Sequence, residues 1–312
     1  MDNKLLNQLI NTMSMLIFGC GYLGGRVALR RHMAGDDVVV ITRRVERAKL
    51  FDEQGYRAMM ADVTRPETLH NLPTADIVLF AVGFDRSTGQ SIDAVYAGGV
   101  RNVLAALSVE SGRFIYISTT GVYGDAKGGW VDEQTPPDPQ RDGGRASLAA
   151  EQVLAAHPLG DRSIVLRLAG IYGPGRVPFL RELRAREPIP APSTGHLNLI
   201  HVDDAATVIK AAAEIPLRKS EELNRKRRVY CVSDGHPVER GEFYREVARQ
   251  VGAQPPQFVE PDPASPRAAR ASTDRRVRND RMLAELRVKL AYPNYRAGLA
   301  ALLETQNQQS DR

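Results

Sequence analysis

The sequence predicts an α/β fold, a doubly wound parallel sheet followed by a smaller C-terminal α/β domain. Three observations predict it. Short, continuously apolar runs recur from Met15 onward, amphipathic stretches separate them, and beyond residue 170 the chain turns rich in proline and glycine. Continuous apolarity marks strands covered on both faces, as in a parallel sheet. Strands alternating with helices are the pattern of crossover connections on such a sheet.

In chain order, "MLIFG" (15–19), "DVVVIT" (37–42), "ADIVLFAVG" (75–83), "GRFIYIST" (112–119) and "RSIVLRL" (162–168) read as buried strands, with "YRAMMAD" (56–62) a weaker sixth. "YLGGRVALRRHM" and "SIDAVYAGGVRNVLAALS" carry the helical period between them. Further on, "YGPGRVPFLRELRAREPIPAPSTG" reads as irregular chain with one short helix. "HLNLIHVDDAATVIKAAAE" reads as a strand, then a helix capped by Asp203 and Asp204. "RRVYCVSDG" is another strand, "VERGEFYREVARQVG" another helix, "QPPQFVEPDPASPRAARAS" a proline-rich loop, and the tail from "NDRMLAELRV" is helical. The expected division is an N-terminal extension over 1–14, a sheet domain over 15–168, and a lid domain over 169–312 partly interleaved with it. Met13 and Met15 are alternative starts.

Hydrophobic residues make up 43% and charged residues 25%, the balance of a soluble globular protein. The net charge of +5, with basic clusters near 218–228 and 267–281, suits anionic ligands such as phosphates. No nucleic-acid-binding motif accompanies it. No apolar run approaches the roughly 18 residues that would span a bilayer, and "MDNKLLNQLINTMS" has no apolar signal core. Cys20 and Cys231 show no metal-ligand spacing and make a poor disulfide framework. The expectation is a cytoplasmic protein without a metal, a membrane partner or a nucleic-acid partner.

"GCGYLGG" (19–25) follows the first strand and opens a helix. Gly19, Gly21 and Gly24 form G-x-G-x-x-G: the first for a tight turn, the second for close approach to a pyrophosphate, the third for helix–strand packing. The helix N-terminus offers N–H groups and partial positive charge to phosphates. A dinucleotide ligand is therefore expected. At the end of the second strand an NAD site places Asp or Glu for the ribose 2′-hydroxyl; here stand Thr42, Arg43 and Arg44. Arginine pairs bidentately with a 2′-phosphate, so NADP(H) is expected over NAD(H). Arg43 and Arg44 also read as solvated helix-start charges. Asp62, ending the third strand, is placed either to accept from the adenine amino group or to cap the turn "TRPETL".

On "GCGYLGGRVA", "MADVTRPETL", "FIYISTTGVYGD", "LRLAGIYGPGR", "LNLIHVDDAATVI" and "VYCVSDGHPV", the chain resembles the extended short-chain dehydrogenase/reductases, the NAD-dependent epimerase/dehydratase group acting on nucleotide sugars. The resemblance covers about residues 15–305. It implies a Rossmann-type domain with a C-terminal substrate domain, and a cofactor lying across the strand ends. Tyr22, Leu23, Val63, Ala81, Val82, Gly83 and Thr119 join the glycines, Thr42, Arg43, Arg44 and Asp62 as implied cofactor contacts. Tyr123, Arg145, Asn198 and His201 are implied substrate contacts. The substrate class is a small molecule, sugar-like or carbonyl. The family often dimerises through helices corresponding to 91–108 and 144–156, whose small residues permit close packing between copies or on the sheet.

In that family a Ser/Thr, a Tyr and a Lys do the chemistry. Thr119 takes the hydroxyl position and Glu151 matches a family glutamate, but Gly143 stands where Tyr belongs and Ser147 where Lys belongs. The supporting asparagine of the fourth helix is missing from "DAVYAGG". This resembles an atypical subgroup with an incomplete catalytic set. Thr119 alone is a poor acid and base near neutral pH. Tyr123 and His201 are alternative proton donors, each with a structural reading beside it. Arg276 and Asn279 read as facing the cleft or, in preference, as a capped, solvated helix start. Two functions stay open: an oxidoreductase, epimerase or dehydratase with a modified proton route, and a non-catalytic NADP(H) sensor.

Overall fold

The computed structural model describes residues 12–216, 228–262, 265 and 273–310. The extension through residue 11 and most of the basic cluster at 218–228 lie outside the described residues. Among them, no helix is long and apolar enough to cross a membrane.

Seven strands build one sheet: β1 Ser14–Phe18, β2 Asp37–Thr42, β3 Arg57–Met60, β4 Ile77–Phe80, β5 Arg113–Thr119, β6 Ile164–Leu168 and β7 Arg228–Val232. Their order is β7-β6-β5-β4-β1-β2-β3, and β1 pairs in parallel with both β2 and β4. All six runs read as strands in the first half of the sequence are sheet members, and "RRVYCVSDG" supplies the edge strand β7. Continuous apolarity is matched by burial: β4 and β6 are buried along their whole length. The helices are α1 Gly24–Met33, α2 Val45–Glu53, α3 Gly99–Ala106, α4 Asp142–Ala156, α5 Leu180–Ala185, α6 Val202–Glu214, α7 Arg240–Gln250, α8 Asp280–Leu286 and α9 Tyr295–Ser310. α3 is preceded by a π-helical turn, Ala94–Gly98. Gly99 is needed at their junction, because a Cβ there would lie 2.9 Å from Val63 Cγ2 and 3.2 Å from the Phe80 ring.

The chain divides into two compact units. The first comprises 1–118, 146–166 and 209–229; the second comprises 119–145, 167–208 and 230–312. The core of the first packs Leu16, Phe18, Val78, Phe80 and Phe114 of the sheet under Val100, Val103, Leu104, Ala150 and Leu154. Arg113, 4% exposed, donates to the carbonyls of Ala212, Ala213 and Ile215, placing a cation at the C-terminal end of α6. The core of the second unit gathers Tyr172, Ile189, Leu199, Phe243, Tyr244, Tyr295 and Leu299.

Two expected helix starts are built differently. Asp204 does not cap α6; it lies in the first turn, 1% exposed, and accepts from the N–H groups of Ala291 and Tyr292 at 2.8 and 2.9 Å. The start of α8 is not solvated around Asn279. Its side chain is buried and donates to the Ser233 carbonyl at 2.8 Å, while Arg276 donates to Gly128 O and lies over the Trp130 ring. In both cases tertiary contacts far along the chain outcompete the local cap.

Candidate functional site

At the carboxyl ends of β1 to β4 the first unit opens into a cleft of about 380 Å³. This is the switch point of the sheet, where β1 has β2 on one side and β4 on the other. Gly19, with φ +92, has no room for a side chain, since a Cβ would sit 2.5 Å from Ala81 O. A Cβ on Gly24 would fall onto the Gly19 carbonyl. Gly21 differs: it is exposed, and a Cβ there would meet nothing within 4 Å. Two glycines therefore shape the turn, while the middle one keeps the space in front of the loop open. Behind it starts α1, with no side-chain cap and no acidic residue in its first turn. That leaves the N-terminal field of the helix to a ligand anion.

Gly19, Gly21, Thr42, Arg43, Arg44, Asp62, Val63, Val82 and Gly83 all line this cleft. Tyr22, Leu23, Gly24 and Ala81 stand behind the wall: Leu23 is buried as the residue before α1, Ala81 backs Gly19, and Arg26 lies over the Tyr22 ring. Asp62 holds the turn, one of the two roles its position suggested. Its Oδ1 accepts from Thr64 N and Oγ1 at 2.9 and 2.8 Å, holding the turn, and the residue faces the cleft.

Sequence reasoning missed Cys20, Arg47 and Asp85. Arg47, in the first turn of α2, lines the cleft and donates to Cys20 O at 2.7 Å. Burial pushes the Cys20 thiol up to about 12 despite Arg47, so it stays protonated and unreactive. Asp85, on the loop after β4, reaches Arg43 and Arg44 with Oδ2 at 3.2 and 3.3 Å. No local signal in the sequence connects these positions.

The walls fit a dinucleotide: open backbone for a pyrophosphate at the glycine loop, with Arg47 bonded to that loop, and the guanidinium groups of Arg43 and Arg44 at the end of β2. The nicotinamide of such a ligand would supply or take up hydride; these residues would hold its phosphates and adenosine end.

The residues expected to act on substrate lie elsewhere. In the second unit, Thr119 Oγ1 accepts from Gly121 N at 3.0 Å, capping the 3-10 turn Thr120–Tyr123. Tyr123, expected beside a cleft, is 3% exposed instead. Its hydroxyl accepts from Arg167 at 2.8 Å and lies 3.0 Å from Cys231 Sγ, and burial drives its pKa well above the ordinary tyrosine range. His201 is equally buried, its ring 3.9 Å from that of Tyr292 and edge-on to Tyr172, with Nδ1 accepting from Asp203 N. Asn198 directs its amide to the main chain, donating to Arg275 O at 2.9 Å and accepting from Val277 N at 2.7 Å. Arg145 is exposed and paired with Asp142 at the start of α4. In the first unit, Ser147 is 3% exposed and hydrogen-bonded to the buried Tyr116, while Glu151 accepts from Ser118 Oγ at 2.6 Å. The position of the missing lysine is thus packed shut by a small polar residue.

Comparison with known proteins agrees with this frame. Residues 15–224 match the model of the NAD dependent epimerase/dehydratase family. Protein YeeZ of Escherichia coli K12 is 32% identical over 251 residues, covering 78% of this chain and 85% of its own. A conserved protein of unknown function from Silicibacter pomeroyi is 31% identical with a TM-score of 0.73, covering 94% and 99% of the two chains. The Bordetella bronchiseptica enzyme WbmG, solved with NAD and UDP, shares the fold at a TM-score of 0.77 and 20% identity, covering 96% of each chain. The glycine loop, the sheet order and these matches together show that the chain belongs to the NAD-dependent epimerase/dehydratase family.

Proposed function

We propose that the protein binds NADP(H) in preference to NAD(H) and acts as an oxidoreductase, epimerase or dehydratase on a carbonyl or nucleotide-sugar-like substrate. Its proton route does not use a Tyr-x-x-x-Lys pair. The observation that carries the reading is the cleft of the first unit, open above Gly21 and lined by Arg43 and Arg44 at the end of β2, with Arg47 against the glycine loop. Guanidinium groups suit a 2′-phosphate because charged, bidentate hydrogen bonds are roughly twice as strong as neutral ones. Thr119 is proposed as the hydroxyl that holds the substrate oxygen. Gly121 N–H occupies it as an acceptor, which leaves its own O–H to donate. Without an assisting phenol or lysine the proton comes from water or from the substrate itself.

Nicotinamide fluorescence titration tests the cofactor half. Arg43→Ala is expected to weaken NADPH ~10-fold or more and to leave NADH within a few-fold, as loss of a charged phosphate contact requires. Equal weakening of both, or none, refutes the preference. For the catalytic half, a panel of carbonyl and nucleotide-sugar substrates is compared with Thr119→Val, which is expected to abolish turnover while NADPH still binds. A second reading, a non-catalytic NADP(H) sensor, is favoured by the closed Ser147 position and the engaged Tyr123 hydroxyl. Tight NADPH binding with no turnover on any substrate selects it.

A further inference from the structure

We infer that Asp85 is the residue that sets the choice between the two dinucleotides, opposing the 2′-phosphate of NADP(H) and accepting the ribose 2′-hydroxyl of NAD(H). The inference deepens the cofactor reading above and rests on it. The end of β2 lacks the carboxylate that an NAD site uses; the loop after β4 supplies one to the same arginines. Asp85 lines the cleft together with Arg43 and Arg44. Its carboxylate is aimed rather than free to swing: Oδ1 accepts from Ser87 N at 3.0 Å and Ser87 Oγ at 2.6 Å, within the 3-10 turn Arg86–Thr88. Oδ2 is thereby turned toward Arg43 Nη2 at 3.2 Å and Arg44 Nη2 at 3.3 Å.

The two ion pairs are long for charge-assisted bonds, and all three side chains are at least a third exposed. Exposed pairs of this kind contribute little and open easily. A 2′-phosphate carrying close to two negative charges can therefore take the arginines from Asp85, but it then meets a carboxylate that the Ser87 contacts hold nearby. A neutral ribose hydroxyl meets no such opposition and gains an acceptor. The arginines favour one dinucleotide and Asp85 the other, so the preference of the wild-type protein is small.

The test is the ratio of the NADPH and NADH dissociation constants, by nicotinamide fluorescence, for wild type, Asp85→Asn and Ser87→Ala. Asp85→Asn is expected to tighten NADPH and to weaken NADH about 3- to 5-fold each, the size of one partly exposed charge contact. Ser87→Ala, which only loosens the carboxylate, shifts the ratio the same way by less. Unchanged melting temperatures confirm that neither change acts through folding. A ratio within twofold of wild type in Asp85→Asn overturns the inference and leaves the cofactor reading standing. Equal tightening of both dinucleotides also overturns it, since Asp85 then acts only on the shared pyrophosphate charge. Failure of the wild-type protein to bind either dinucleotide overturns the cofactor reading and this inference with it.

Discussion

Three glycines of one loop separate by what a single methyl group would touch. Gly24→Ala places a Cβ on the Gly19 carbonyl, a backbone atom that cannot give way. Overpacking of this kind costs about 1–3 kcal/mol, and thermal unfolding of the variant is expected several degrees below wild type. Gly21→Ala meets nothing within 4 Å, so its melting temperature should stay within a degree or two. Its methyl instead enters the space in front of the loop, where a pyrophosphate would lie. NADPH affinity is expected to fall ~10-fold or more, since close backbone approach is what that glycine provides. A Gly21→Ala protein that binds NADPH like wild type would remove the pyrophosphate from this loop. The roles of these residues were legible in the sequence because the rule is local: turn, approach and packing lie within six positions of one another. Asp85 was not, although it faces the same cleft. Its position follows from β4 lying beside β1, a pairing between segments some sixty residues apart.

At the scale of an element, α4 explains why the usual catalytic pair cannot be restored by two substitutions. Its start packs tightly on the chain after β5: a Cβ on Gly144 would lie 2.5 Å from Gly121 O and 2.9 Å from Pro139 Cβ. One turn later Ser147, 3% exposed, bonds to Tyr116. A lysine there would bring its ammonium into the buried position that Ser147 holds against Tyr116. Burying an unpaired cation is costly enough that the group loses its proton or the fold loosens. Gly143→Tyr/Ser147→Lys is therefore expected to melt well below wild type and to gain no activity, a result read from thermal unfolding and the substrate panel. A stable, active double variant would show that only the two side chains were missing. The sequence announced the absence of the pair but not its reason, since Tyr116 is thirty-one residues from Ser147. The same holds for Tyr123, whose partners Arg167 and Cys231 lie 44 and 108 residues away. Strand identities were readable from apolar runs; which polar groups those strands bring together was not.

For the molecule as a whole, two buried or half-buried carboxylates pull the pH dependence of stability in opposite directions. Glu246 is held at about 2, chiefly by hydrogen bonds from Arg249. Its contribution is present above the ordinary carboxylate range and is lost as pH falls toward 2. Asp234 behaves the other way. It is 4% exposed, and among the described residues neither its Oδ2 nor the hydroxyl of Tyr172, whose titration feels its charge, has a hydrogen-bond partner. Burial pushes its carboxyl up to about 7, against the opposing hydrogen bond from His236 N at 2.9 Å. The folded state thus holds this proton more tightly than the unfolded chain, whose aspartate titrates near the ordinary value. Its contribution is complete below about pH 4 and is lost as pH rises through about 7. Asp234→Asn keeps an acceptor for His236 N while removing the titration. The variant is expected to change little in stability between pH 5 and 8, where wild type declines, and to exceed wild type at pH 8 by on the order of 2 kcal/mol. Melting temperatures of both proteins at the two pH values decide it: parallel declines would mean that Asp234 is already ionised in the fold, with its charge met by a group other than His236.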